Sequence, residues 1–437
     1  MAGSFRNRKL FLAYPGAFKR QTAFGVAMAN TDIDTRHPQT TPTYPGRTTT
    51  REQIRDCSGE YIIREDITSR LSRLRYGFDA DAFLIAGWLA MAQGAAAAPS
   101  GTRVNEVQTI TPVGGPITAG SWNYLLEMEG LVEAVDIPFD ATAADIQRLL
   151  ESLRPIKPGN VSVAGTLATT VVITYQGKLA AYNIPAPVID DSGLTGGTLS
   201  VSTTTPGTSK TAAISRTTLD QTPAISFIVG FIDDTTNPDL YKDVVVNSVT
   251  IRGQIRGKVS VELDLLMNAD TAEQIGYVVP NCVNINPIYT KDCRISINNV
   301  FQAVNVREFT YVYSNNIFSG DDAFPYDDID VERLEHGDRT SSFNFTVYGS
   351  KGDTIYTLAD AESVVPSQLL LGPPSGRVIV DMPKLSLRLP DDPITFAGEA
   401  NRSAMQIQGT PFFDQLTAGT PDNVIYYGPE TTTFLAT

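Results

Sequence analysis

The residues able to do chemistry in this sequence are few. Two histidines, His37 and His336, and three cysteines, Cys57, Cys282 and Cys293, are the whole supply of imidazole and thiol groups. Histidine is the usual general acid–base group, although carboxylates can replace it. With two scattered histidines there is no HExxH helix, and GxSxG and GxGxxG are also missing. The run Gly253-Gln-Ile-Arg-Gly257-Lys258-Val259 resembles a phosphate loop at a glance. It has three residues between the glycines instead of four, and Val259 stands where a Ser or Thr must reach Mg²⁺. A hairpin turn between two strands is the expected role.

Carboxylates are the one abundant group. Asp321, Asp322, Asp327, Asp328, Asp330, Glu332, Glu335 and Asp338 crowd residues 319–339 against Arg333 and Arg339. Such clusters can bind Ca²⁺, but an EF-hand loop needs Gly at its sixth position and Glu at its twelfth, and no register here supplies both. The plain alternative is a solvated acidic loop. No catalytic residue, cofactor or metal is expected from these patterns.

The elements that must position such residues are mostly strands. Of 437 residues, 42% are hydrophobic and 19% charged, with Gly 34 and Pro 27, which is enough apolar material for real cores. Val249 and Ile251 alternate with polar neighbours, and after Gly257 so do Val259, Val261, Leu263 and Leu265, the pattern of a half-buried hairpin. Arg294-Ile-Ser-Ile297 and residues 306–313 are expected to form a second pair, followed by strands at 343–347, 378–380, 385–389 and 423–427. Residues 353–371 are expected to be a helix interrupted near Pro366. The run 82–92 is apolar all round, so a helix over 80–93, capped by Asp79 and ended by Gly94, should be buried between sheets or subunits. At eleven residues that run is short of the ~20 needed to cross a membrane. Residues 1–10 lack the apolar stretch of a signal peptide, and the cysteines are expected to be free thiols in a reducing cytosol.

Residues 105–210 differ from their surroundings. They begin and end in Pro/Gly/Ser/Thr joints. They hold strands at 108–111, 123–128, 161–163, 171–175 and 199–201. A helix capped by Asp140 or Thr142 should show Ile146, Leu149, Leu150 and Leu153 on one face and stop at Pro155. One helix on a small sheet is expected there.

Charge is unevenly placed. Residues 1–75 carry 13 Lys+Arg against 7 Asp+Glu, net +6; the rest carries 21 against 41, net −20. Net charge is −14, a poor balance for gripping phosphates. Residues 1–60 have no sustained periodicity, yet Arg6, Arg8, Lys9, Lys19 and Arg20 are mixed with Phe11, Tyr14, Phe18 and Phe24. Aromatics in a basic, irregular stretch suggest an arm that orders on a neighbouring copy, where its arginines meet carboxylates.

The order of pieces resembles the tail tube (major tail) proteins of long-tailed bacteriophages. The resemblance rests on the apolar helix 83–90, the hairpin 249–263, the strand 293–300 ending in paired Asn298 and Asn299, then 340–347 and 378–387. Within 105–210, the segments 107–110, 137–147, 159–163 and 194–197 together are similar to accessory domains of phage virion proteins. The resemblance implies a β-rich α+β chain: an antiparallel β-sandwich or barrel of tail-tube type with a flanking helix, plus a small inserted α+β domain. The expected division is a basic N-terminal arm (1–60), a discontinuous tube domain (61–104 and 211–437) and an inserted accessory domain (105–210).

The implied function is structural. Rings, hexameric because only one such hairpin is seen, stack with themselves and with other tail proteins. The resulting hollow tube conducts DNA without binding it, in a virion assembled in the bacterial cytoplasm and with no membrane partner. On this reading the seven acids from Asp321 to Glu335 line the lumen or meet the next ring, with Phe324, Tyr326 and Ile329 as apolar anchors favouring the inter-ring contact. The rival readings are a baseplate or adhesion protein binding host glycans, and a β-type glycan hydrolase using paired acids from that same span.

Overall fold

The computed structural model describes residues 10–15, 33–38, 48–55, 61–69, 71–94, 97–214, 225–231, 234–268, 273–274, 286–302, 306–317, 337–348, 353–390, 394–397, 402–412, 423–429 and 433–434. Among them the chain is β-rich, with three α-helices and every strand pairing antiparallel.

The body is one seventeen-stranded sheet. Its central ladder runs Leu71–Asp79, Val259–Asn268, Asp234–Gln254, Val306–Ser314, Thr340–Tyr348 and Arg402–Pro411. Arg377–Arg388 continues it: Leu385 to Arg388 pair with Arg402–Pro411, and Arg377 to Asp381 pair with Asn423–Gly428. One long strand therefore carries the sheet round a corner.

Helix α1, Ala82–Gln93, sits inside that curve. Asp81 is its N-cap, accepting from the Leu84 N–H at 2.9 Å, and Gly94 closes it in the left-handed region at φ 87. Every residue of α1 except Phe83 is buried. It packs against Asp234–Gln254 and Val306–Ser314, and also against Arg377–Arg388, Asn423–Gly428 and Lys210–Ile214 further along the sheet. Enclosing Trp88, Leu89, Ile85 and Met91 on all sides contributes about 1.5–3 kcal/mol for each large side chain.

The segment between residues 105 and 210 has its own core, built on Trp122, Tyr124, Leu126, Ile146, Leu150, Ile173 and Tyr175. It contains two four-stranded sheets, not the one small sheet expected from sequence. Thr198–Thr205, Val107–Val113, Thr170–Tyr175 and Val161–Thr166 make one; Ala119–Met128 pairs with Leu131–Pro138, Val188–Asp190 and Leu194–Thr195 in the other. The hydroxyls of Tyr124 and Tyr175, one from each sheet, meet at 2.7 Å. Helix α2, Ala143–Glu151, packs on Val161–Thr166 and Leu131–Pro138, and Thr142 with Asp145 forms a capping box at its start. The passages into and out of this segment pair with each other through Ser100 with Thr211 and Val104 with Thr208.

Several expectations are corrected. Asp79 does not cap α1; it ends the strand Leu71–Asp79 and its carboxylate accepts from Lys258 at 2.9 Å. Arg294–Ile297 does not pair with Val306–Ser314 but with Val364–Leu371. The expected helix over 353–371 is only α3, Thr354–Asp360, followed by the strand Val364–Leu371. Residues 1–60 are not without elements: Leu10–Pro15, Ile33–Pro38 and Thr48–Arg55 are strands. Leu10–Pro15 pairs within its own chain, on Ile225–Phe231 and Ile33–Pro38.

Candidate functional site

The acids Asp321, Asp322, Asp327, Asp328, Asp330, Glu332 and Glu335 lie outside the described residues, as do Arg6, Arg8, Lys9, Phe18, Lys19, Arg20 and Phe24. Phe11 and Tyr14 are placed at the backbone level, opposite Gly230 and Thr35. The roots of the acidic segment are described. Asn315 donates through Nδ2 to the Ala92 and Val246 carbonyls, both at 2.8 Å, and the Gly337 N–H donates to Asn315 and Asn316 at 3.0 Å. Asn247 accepts from the Ile317 N–H at 3.0 Å and donates to Asp264 at 2.8 Å, while Arg73 closes on Asp264 with Nε at 2.6 Å and Nη2 at 2.5 Å. Both ends of the segment are thereby pinned to one end of the ladder.

At the opposite end of the same strands lies a cleft of about 480 Å³. Its wall is the turn of the hairpin, where the Gly257 N–H donates to Gln254 at 2.9 Å and Arg256 takes φ 60. This is the run that resembled a phosphate loop, and packing accounts for its glycine at 253: a Cβ there would come within 2.4 Å of the Phe309 ring. Four cations, Arg256, Lys291, Arg294 and Arg307, line the cleft together with Tyr289, and among the described residues no carboxylate does. The Lys291 ammonium lies 5.3 Å over the Tyr289 ring. Ile255 is 52% exposed and Tyr289 41%, so the cleft offers apolar as well as cationic surface.

Arg294 links this cleft to the joint with the inserted segment. Its Nη1 donates to the carbonyls of Lys291 and Cys293 at 2.9 and 2.8 Å, while its Nε stands 3.9 Å from Glu129. Glu129 and Gly130, at φ 51 and 76, are the two-residue turn between Ala119–Met128 and Leu131–Pro138. That turn is seated on the body: Arg377 pairs with Glu129 and lies 5.2 Å over the Tyr182 ring, and a Cβ on Gly130 would meet Phe301 Cβ at 2.7 Å. Lys178 meets Asp292 at 2.7 Å a little further along. Burial holds Lys157 below the ordinary lysine value; Asp292 opposes this, and Arg294, Lys178 and Lys291 add to it. Basic groups from both parts of the chain are thus gathered at one place.

Chemically the arrangement suits binding. Cys293 borders the cleft, but burial pushes its thiol up to about 12, which leaves almost no thiolate at neutral pH. Among the described residues no group of three or more His, Cys, Asp or Glu is placed to hold a metal ion. The sequence reading missed the cleft, because Arg256, Lys291, Arg294 and Arg307 are dispersed between apolar strand residues. Only the Gly253–Lys258 run drew notice to the place.

No protein-family model matches the chain, and no curated protein is similar to it.

Proposed function

We propose that the chain is a structural subunit of a bacteriophage tail, one that closes into rings, most simply hexamers, stacking into a hollow tube for DNA. The observation that carries this reading is the body itself: a continuous antiparallel ladder curling round helix α1, buried at every residue but Phe83, in the helix–hairpin–strand order by which the sequence resembles tail tube proteins. Long ladders leave edges that need partners, and ring closure supplies them without open-ended lateral growth. The body's excess of acid suits a channel through which DNA must slide without adhering. No chemistry is required of such a subunit. It reaches its place in the virion after synthesis in the bacterial cytoplasm, and its partners are other copies of itself and further tail proteins.

Negative-stain microscopy of the purified full-length protein tests the reading. Rings or tubes with a central hole are expected at high protein concentration. A monodisperse monomer under all conditions, or a spiked trimer, overturns it in favour of an enzyme or an adhesion protein.

A further inference from the structure

We propose that the cationic cleft between Gly253–Gly257 and Tyr289–Arg294 receives the acidic segment 319–339 of a second copy, in a head-to-tail contact. The proposal rests on the self-assembly part of the functional reading and is independent of DNA conduction.

Charge singles the cleft out. In a chain of net charge −14, four cations converge on it, with no carboxylate in its lining among the described residues. Arg256, Lys291 and Arg307 make no ion pair among the described residues, whereas Arg73, Lys178, Lys258 and Arg377 each have one. The neighbouring stretches 275–285 and 303–305 contain no charged residue at all, so the sequence next to the cleft brings no counter-charge to it. Glu308 belongs to the other face of its strand, where it accepts from Thr346 at 3.0 Å. Asp292 is committed to Lys178, and Glu129 to Arg377.

The acidic segment has matching chemistry. Eight carboxylates stand against Arg333 and Arg339, with Phe324, Tyr326 and Ile329 among them. A cleft with cationic rims and exposed Ile255 and Tyr289 accommodates both kinds of group. Arginine forks suit carboxylates in particular, and complementary potentials set register between partners.

Topology then favours a contact between copies. The segment is rooted where Ser314 lies opposite Ser248 and Thr340. The cleft is at the other end, where Gln254 lies opposite Glu308 and Ile255 donates to Arg307 at 2.7 Å. Six residue steps separate Ser248 from Gln254, roughly 20 Å of strand. Donor and acceptor surfaces at opposite ends of one sheet form a heterologous interface, the kind that propagates copy after copy along an axis.

The test uses full-length chains with one or the other surface reversed. One variant carries Arg256→Glu and Lys291→Glu; the other carries Asp327→Lys, Asp328→Lys and Asp330→Lys. Circular dichroism and the unfolding midpoint establish that each is folded. If a reversal fails to fold, Arg256→Gln with Lys291→Gln, and Asp→Asn at the three acids, take its place. Sedimentation velocity and microscopy read assembly. Each variant alone is expected to lose stacking affinity at least about tenfold, and an equimolar mixture of the two reversals to regain it, because each then meets its complement in trans. Unchanged stacking by both single variants overturns the proposal. So does recovery only when both sets of changes share one chain, which would place the contact within a subunit. If the cleft reversal instead abolishes binding of a short oligonucleotide while stacking is untouched, the cleft is a polyanion site and the proposal fails. A wild-type protein that never associates counts against the functional reading itself, and is distinguishable from all of these.

Discussion

Arg377 donates from Nη1 to Oε1 of Glu129 at 2.5 Å, with only 3% and 7% of the two side chains exposed, and this pair spans the boundary between the two hydrophobic cores. Desolvating both charges is costly, and their mutual attraction offsets that cost only while both are present. Glu129→Met alone should therefore destabilise the joint by about 3–5 kcal/mol, because Arg377 is left buried and unpaired. Glu129→Met with Arg377→Met should recover most of the loss. The two tryptophans allow a direct reading, since Trp88 lies in the body core and Trp122 in the inserted one. Denaturant unfolding in Trp88→Phe and Trp122→Phe backgrounds is expected to show the two transitions drifting apart in the single variant and rejoining in the double. Equal losses in single and double variants would show that the pair adds no coupling.

Gly130 is the second seat of that joint. Its φ of 76 favours glycine, and an added Cβ would sit 2.7 Å from Phe301 Cβ. Gly130→Ala should cost more than about 1 kcal/mol. The loss belongs to the docking of the hairpin tip and not to the inserted core, so amide exchange should quicken around Glu129, Phe301 and Arg377 while Trp122 and Tyr175 stay protected. Uniform quickening through the inserted core would contradict this.

Glu106 gives the inserted segment a pH response. Burial lifts its carboxyl above the ordinary value, against the lowering effect of hydrogen bonds from Gln108 at 2.5 Å, Ile184 N–H at 2.6 Å and Gly207 N–H at 3.4 Å. A folded-state value above the unfolded one means that the folded form binds the extra proton. The resulting stabilisation is fully present below the unfolded value and is lost as pH rises through the elevated folded value. In a Trp88→Phe background, the Trp122 unfolding midpoint should fall over that interval, and Glu106→Gln should flatten the dependence. A midpoint that rises there with pH would refute the assignment.

Cys293 should be chemically silent in the folded protein. Its thiol is buried, donates to the Tyr289 carbonyl at 3.6 Å, and is pushed up to about 12. Iodoacetamide at pH 8 followed by peptide mass mapping is expected to leave Cys293 unmodified in native protein and to modify it fully in denaturant. Native labelling at Cys293 would show that the cleft opens to its floor.

Local signals in the sequence fared better than distant ones. The hairpin Asp234–Gln254 and Val259–Asn268 was legible because alternation and a turn lie side by side. Helix α2 was legible because Thr142, the apolar face and Pro155 agree, although the helix ends at Glu151 and Leu153 falls just beyond it. Asp79 and Asp81 are equivalent caps on paper; the ladder claims Asp79, which leaves the cap to Asp81. Residues 364–371 read as helix because their apolar positions lack strict alternation, yet the strand is covered on both edges by Arg294–Ile297 and Arg377–Arg388, with Pro366 at an irregularity in the pairing. Strand partners far apart in sequence, and a cleft assembled from Arg256, Lys291, Arg294 and Arg307, depend on the assembled ladder and leave no local trace.

The paired passages at Ser100 with Thr211 and Val104 with Thr208 also bear on the order of events during synthesis. The inserted segment leaves the ribosome before most of the body's strands exist, and domains fold largely as units from the N-terminal side. Once it has folded, its two ends are held side by side. Helix α1 and the strand Lys210–Ile214 are then neighbours in space as though a short connection joined them. Shortening the effective loop about tenfold lowers its closure cost by about 2 kcal/mol. An insertion that looks like a burden on the body's topology thus acts as a clasp, gathering the two halves of the chain for the ladder that follows.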